Sequence, residues 1–304
     1  MSLLVLGTVA FDTIETPFGK ADRIIGGAGT YIAWASSMFY KDIKLVSVIG
    51  EDFPQPELQL LQDRGVDMEA LELKKGEKSF FWAGRYHSNM NSRDTLATEL
   101  NVLENYSPVL PESCKNVDYL MLGNFAPAVQ MSVVKQLANR PKLVVMDTMN
   151  FWMDIAMDEL KEVLTKVDVL TINDEEARQL SGEYSLVTAA KVIRKMGPKY
   201  LIIKKGEHGA LLFHDDGMFY VPAMPLEVVF DPTGAGDTFA GGFIGYLAKT
   251  GDFSFNNMKR ALVYGSAIAS FCVEEFGPNR LKTLDEATVE GRIQEFLDLM
   301  TIEK

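Results

Sequence analysis

The sequence predicts an α/β fold built on a mainly parallel sheet, with a small second β-sheet beside it. Three observations carry this expectation. Short β-rich apolar runs alternate with longer segments of helical periodicity along most of the 304 residues. The runs are continuously apolar rather than alternately apolar and polar, as suits strands covered by helices on both faces. Two regions, 11–24 and about 77–100, break this alternation; they are rich in hydroxyl, aromatic and β-branched residues and lack a helical repeat.

In chain order the predicted strands are "LLVLGTV" (3–9), "IKLVSVIG" (43–50), "VDYLMLG" (117–123), "KLVVMD" (142–147), "VDVLTIN" (167–173), "KYLIIKKG" (199–206) and "ALLFH" (210–214). Helical stretches such as "VVKQLANR", "DELKEVLTKV", "DEEARQLSG" and "SLVTAAKVIRKMG" separate them. Ligands of such sheets gather beyond the carboxyl ends of the strands. Asp147, Asn173 and Gly206 each close a predicted strand there. The stretches 11–24 ("FDTIETPFGKADRI") and 77–100 read as strands of an accessory sheet projecting from the main body. With no internal repeat or Pro/Ser-rich linker, a single domain over 1–304 is expected.

Hydrophobic residues make up 47% of the chain and charged residues 24%, the balance of a globular protein. No apolar run approaches the ~18 residues of a membrane span. The longest, "ALVYGSAIASFCV" (261–273), reads as a buried helix, and the apolar N-terminus reads as a first strand rather than a signal peptide. Cys114 and Cys272 form neither a disulfide framework nor a metal pattern, which fits a reducing cytoplasm. The net charge of −12, with no basic cluster, argues against nucleic acid or an anionic membrane as partner.

The stretch "DPTGAGDTFAGG" (231–242) follows an apolar run and opens a helix-periodic one. Gly234, Ala235 and Gly236 would then present backbone N–H groups at a helix N-terminus, an arrangement that binds anions. The loop lacks the Lys-Ser/Thr end of a Walker A motif and the third glycine of a dinucleotide fingerprint. Asp237 follows directly. Taken alone it is an acidic first-turn residue favoured by the helix dipole by roughly 0.3–1 kcal/mol. Beside a bound phosphate, however, its charge is repelled by roughly 4 kcal/mol at ~4 Å and an effective dielectric near 20. Accepting the proton of an attacking hydroxyl is a use that would justify its place.

This stretch closely resembles the C-terminal signature of the ribokinase (PfkB) carbohydrate-kinase family, and further segments follow in family order along the chain. The resemblance implies a ribokinase-like three-layer sandwich with a mainly parallel central sheet and a small β-sheet lid. It implies that Gly234, Ala235 and Gly236 form an anion hole and that Asp237 is the catalytic base. "GTVAFD" (7–12) resembles the entry to the lid, which implies that Asp12 grips substrate hydroxyls. "GGAGTYIAWAS" (26–36) resembles the N-terminal glycine signature, with Gly26 and Gly27 against the substrate. Tyr31 stands where the family often has an Asn, so it either contacts substrate or packs on the helix. "NDEE" (173–176) matches N-x-x-E, which implies that Asn173 and Glu176 organise Mg²⁺, commonly through water. Its bland reading is a capping box. "KKGEHG" (204–209) resembles the segment against the nucleotide, which gives Gly206 and Gly209 to the turn and Lys204 or Lys205 to the phosphate; its bland reading is a hairpin with solvated lysines. Asp231 and Thr233 fall where many relatives hold a monovalent cation, K⁺.

The lid segment "FFWAGRYHSNMNSRD" offers Arg85, Asn89, Asn91 and Arg93; an arginine there, Arg85 first, would suit a carboxylate or phosphate on the substrate, or else faces solvent. The family implies an ATP-dependent phosphotransferase acting on a hydroxyl of a small sugar or sugar derivative. The alternatives are a nucleoside kinase with Tyr31 or Phe11 stacked on the base, and a non-catalytic sugar- or nucleotide-binding regulator. Exposed lid edges would allow a homodimer.

Overall fold

The computed structural model describes residues 1–302. Its central sheet runs, in spatial order, Gly217–Val221, Ala210–His214, Tyr200–Lys204, Val169–Asn173, Leu143–Asp147, Tyr119–Leu122, Leu3–Leu6, Ile43–Gly50 and Val66–Asp67. Leu71–Lys74 pairs the outer half of Ile43–Gly50. Every pairing from Tyr200–Lys204 to the Val66 edge is parallel. The two strands at the other edge add as antiparallel hairpins.

Alternation within each apolar strand divides its side chains between two cores. Leu3 and Val5 face one core with the helices Ala28–Ser37, Ala235–Thr250 and Phe255–Cys272. Leu4 and Leu6 face the other, among Leu160, Val163, Ala177 and Ile193. Both faces are dry, which is why these strands read as unbroken apolar runs. The apolar run 261–273 is the second half of the helix Phe255–Cys272 together with its C-cap, Val273. No helix among the described residues is long and apolar enough to cross a membrane.

The predicted first strand is cut short. It ends at Leu6, and the chain enters the second sheet at Ala10. Between them a Cβ on Gly7 would lie 2.5 Å from the Gly29 backbone, so the helix 28–37 begins directly against the strand end. The second sheet has the order Gly19–Gly26, Ala10–Thr16, Phe80–Tyr86 and Arg93–Glu99, from the two regions that lacked helical periodicity. Its middle pair is parallel and its outer pairs are antiparallel. Residues opposite one another project from the same face. Asp12 and Trp82 therefore share one face, as do Tyr86 and Arg93, while Glu15 and Arg85 share the other.

Candidate active site

Asp147, Asn173 and Lys204 end three adjacent parallel strands, and the N-terminus of helix Ala235–Thr250 comes to the same place. Gly234 caps that helix with φ +75°, a left-handed conformation suited to glycine. A Cβ there would overlap the ring of Tyr31. The Ala235 N–H bonds the Pro232 carbonyl at 3.2 Å, whereas the Gly236 and Asp237 N–H groups meet no acceptor among the described residues. Of the three N–H groups the sequence points to, that of Ala235 is thus closed and that of Gly236 is open, with Asp237 adding a donor. Both point from a helix start, where the dipole favours an anion.

Lys204 Nζ lies 2.7 Å from Asp147 Oδ2, and a Cβ on Gly236 would come within 3.0 Å of the same ammonium. Burial disfavours the lysine's charge, but Asp147 and Glu176 outweigh it and hold its pKa above the usual value. Asp237 is partly buried and accepts no hydrogen bond among the described residues. Burial first, then the charge of Asp147, push its carboxyl up to about 7, against Lys204 and Arg93. Glu176 is buried and is likewise pushed up to about 7, by burial and by Asp147.

Asn173 and Glu176 form a reciprocal capping box. The Glu176 N–H donates to Asn173 Oδ1 at 2.8 Å, and the Asn173 N–H donates to Glu176 Oε2 at 2.8 Å. This leaves Glu176 Oε1 for a ligand. Among the described residues no three acidic, His or Cys side chains converge as a metal cage. Glu176 therefore fits Mg²⁺ only as an ion held mainly by water and phosphate, which is how Mg²⁺ is usually bound at nucleotides. The loop at 204–209 turns through Gly206 (φ +54°) and Gly209 (φ +75°) between antiparallel strands.

Asp12 is buried against Gly26, where any Cβ would overlap its carboxylate. Burial and the charge of Asp231 raise it to about 7, while the Gly27 N–H opposes them. Asp231, also buried, accepts from the N–H groups of Thr233 (2.8 Å) and Gly277 (3.0 Å), tying the glycine loop to the chain after helix 255–272. Thr233 Oγ1 in turn donates to the Tyr86 hydroxyl of the lid at 3.2 Å.

Two expected substrate contacts are corrected. Tyr31 is 1% exposed and supports Gly234 from beneath, so its ring is not open to a substrate. Arg85 pairs with Glu15 on the outer face of the lid, because it is one residue out of phase with Trp82 and Tyr86. Phe11 offers no stacking face either; Phe53 and the guanidinium of Arg23 cover it. The inner face instead carries Arg93, the other lid arginine that the sequence offered, with Trp82 and Tyr86, for which sequence reasoning had no role. Strand alternation was the signal that could have found them. Asp147 was visible as a strand end, but its pairing with Lys204 was not.

Open N–H donors, a free carboxylate and a covering lid suit the transfer of a phosphoryl group, and the architecture is that of a sugar or nucleoside kinase. The model of the pfkB family carbohydrate kinases matches residues 11–284, and the chain belongs to that family of phosphotransferases. It is 30% identical over 251 residues to a cytidine kinase of Thermococcus kodakarensis, covering 80% of this chain and 87% of the relative. A nucleoside kinase of Burkholderia thailandensis in complex with inosine shares the fold at a TM-score of 0.79, with 21% identity over 98% of this chain and 99% of that one. An Escherichia coli structure of the ribokinase kind, in complex with ATP and Mg²⁺, superposes with a TM-score of 0.77 at 21% identity, covering 97% and 99%.

Proposed function

We propose that the protein transfers the γ-phosphoryl group of ATP to a hydroxyl of a nucleoside or small sugar, with Asp237 as general base. The observation that carries this reading is a partly buried carboxylate without a hydrogen-bond partner, beside open N–H donors of a helix start. Asp237 takes the hydroxyl proton as the oxygen attacks, and the N–H groups of Gly236 and Asp237 hold charge on the transferring group. Mg²⁺ when bound neutralises phosphate charge, and Glu176, with Asn173 as its partner, is the side chain that would hold it through water. Lys204 and the Gly206–Gly209 turn form the nucleotide side. Asp12 accepts hydroxyl hydrogen bonds of the substrate beside Gly26 and Gly27.

A nucleoside is favoured over a free sugar by the cytidine kinase of Thermococcus kodakarensis, 30% identical to this chain over 80% of its length. K⁺ beside Asp231 and Thr233 belongs to the proposal, since Asp12 and Asp231 are buried close together and neither has a cationic side-chain partner among the described residues. A cytoplasmic homodimer joined at the lid edges Gly19–Gly26 or Arg93–Glu99 completes it.

The test is coupled ADP release with Mg-ATP across nucleosides, sugars, sugar acids and sugar phosphates, for wild type and Asp237→Asn. Turnover on one class, lost in the variant, is the expected result. ATP binding with silence across the panel would favour a non-catalytic regulator, and turnover that survives Asp237→Asn would overturn the mechanism.

A further inference from the structure

We infer that Arg23 is a positioning residue for acceptor binding: it holds the β-bulge that sets Gly26, rather than a residue with a side chain, beside Asp12. The inference rests on the kinase reading above and on the acceptor role given there to Asp12. In the lid hairpin Asp12 stands opposite Ile24 and Ile14 opposite Ala21, so Thr13 on one strand faces both Asp22 and Arg23 on the other. The extra residue shifts the register by one. A pairing continued from Ile14 and Ala21 without it would put Ile25 opposite Ala10, where Gly26 now lies. A Cβ on Gly26 would come within 1.9 Å of Asp12 Oδ2. The bulge therefore gives the Asp12 carboxylate its place.

Arg23 carries the backbone strain of that bulge. Its φ is +49°, a left-handed conformation that residues other than glycine disfavour. Three contacts hold it. The Arg23 N–H donates to Thr13 Oγ1 at 2.9 Å, the guanidinium stacks 4.1 Å over the Phe11 ring, and Nη2 lies 2.5 Å from Asp52 Oδ2. An exposed ion pair alone would hold little, but both partners of the guanidinium are fixed in advance. Phe11 packs on Phe53, and Asp52 Oδ1 accepts from the N–H and the hydroxyl of Ser79, both at 2.8 Å. Ser79 is buried and leads into the lid strand Phe80–Tyr86. Its carbonyl accepts from Asn101, just past the strand Arg93–Glu99. Asp52 thus joins the root of the lid to the hairpin that carries Asp12.

The experiment measures acceptor KM, kcat, ATP affinity without acceptor and melting temperature, on the best acceptor of the panel. It compares wild type with Arg23→Ala, Arg23→Gly, Asp52→Asn, the double variant Arg23→Ala/Asp52→Asn, and Asp12→Asn. Arg23→Ala keeps the strained backbone without its contacts and should raise acceptor KM about tenfold, with kcat and ATP affinity little changed. Arg23→Gly, which takes a positive φ freely, should raise it only about threefold. Asp52→Asn should shift KM in the same direction, and the double variant should be no worse than Arg23→Ala alone. Arg23→Ala with wild-type acceptor KM, or Arg23→Gly no better than Arg23→Ala, overturns the inference; a raised acceptor KM in Asp12→Asn then leaves the kinase reading standing. Loss of kcat, acceptor KM, ATP affinity and melting temperature together in Arg23→Ala marks a merely structural residue and overturns it too. A wild type silent with every acceptor overturns both readings.

Discussion

Lys204 and Asp147, 57 residues apart in the chain, close a 2.7 Å ion pair at the carboxyl end of the central sheet, with both side chains largely buried. The pair sits under the first turn of the helix that begins at Ala235, and its charges reach both Asp237 and Glu176. Removing one partner leaves the other charge buried, which commonly costs several kcal/mol. Asp147→Ala should therefore lower unfolding free energy by about 3 kcal/mol, read from urea denaturation. Lys204→Met, which leaves Asp147 bonded by the Thr148 N–H, should lower it by less.

The same proximity sets a pH dependence. A base must be ionised to accept a proton, and Asp237 is held up to about 7 by burial and by Asp147. The kcat/KM of the free enzyme should fall as pH drops below about 7, well above the ordinary carboxylate range. In Asp147→Asn, with one repelling charge gone, this acid limb should move to lower pH. A limb that stays in place would mean that another group governs it.

Stability should follow the opposite course over that range. Asp12, Glu176 and Asp237 all titrate near about 7 when folded, against about 4 in an unfolded chain. Between these values the folded state binds more protons, so stability is greatest below about pH 4 for these groups and declines as pH rises to about 7. Paired carboxylates such as Asp52 and Asp67, held below their ordinary value, act only in more acidic solution. Melting temperature measured without ligands should fall from pH 5 to about 7.5 by less in Asp12→Asn than in wild type.

The two glycines of the loop should respond differently to alanine. Gly234 has a left-handed φ and lies on the Tyr31 ring, so Gly234→Ala strains backbone and core together. Gly236 has only the flexible Lys204 ammonium within 3.0 Å of its Cβ position. Gly234→Ala should lose both stability and turnover, while Gly236→Ala should melt close to wild type. Paired thermal melts and kcat measurements separate the two.

Tyr86→Phe removes the hydrogen bond between the lid and the glycine loop without changing ring shape. A neutral hydrogen bond is worth about 1 kcal/mol, so the closed lid should lose roughly fivefold in population. The expected result is an acceptor KM about fivefold higher, with a smaller change in kcat.

Much of the architecture was legible because it depends on local pattern. Buried parallel strands such as Leu3–Leu6 and Leu143–Asp147 must be apolar on both faces, and lid strands such as Arg93–Glu99 must not be. The glycine loop and the Asn173–Glu176 spacing were equally plain, since a helix start imposes its residue types within four positions. The lid face was not legible. Arg85 and Arg93 are both arginines on lid strands, and only the register of Phe80–Tyr86 against its neighbours turns one outward and the other inward.

The sequence by itself determined the α/β class, the strand-end positions and the glycine–aspartate loop, because each follows from periodicity or from backbone needs of adjacent residues. Only the tertiary structure decided that Tyr31 supports Gly234 rather than meeting substrate, that Asp147 neutralises Lys204, and that Arg93 lies over the Tyr86 ring on the inner lid face. These are relations between residues far apart in the chain. Sheet order and strand register create them, and no local pattern encodes which charge will meet which.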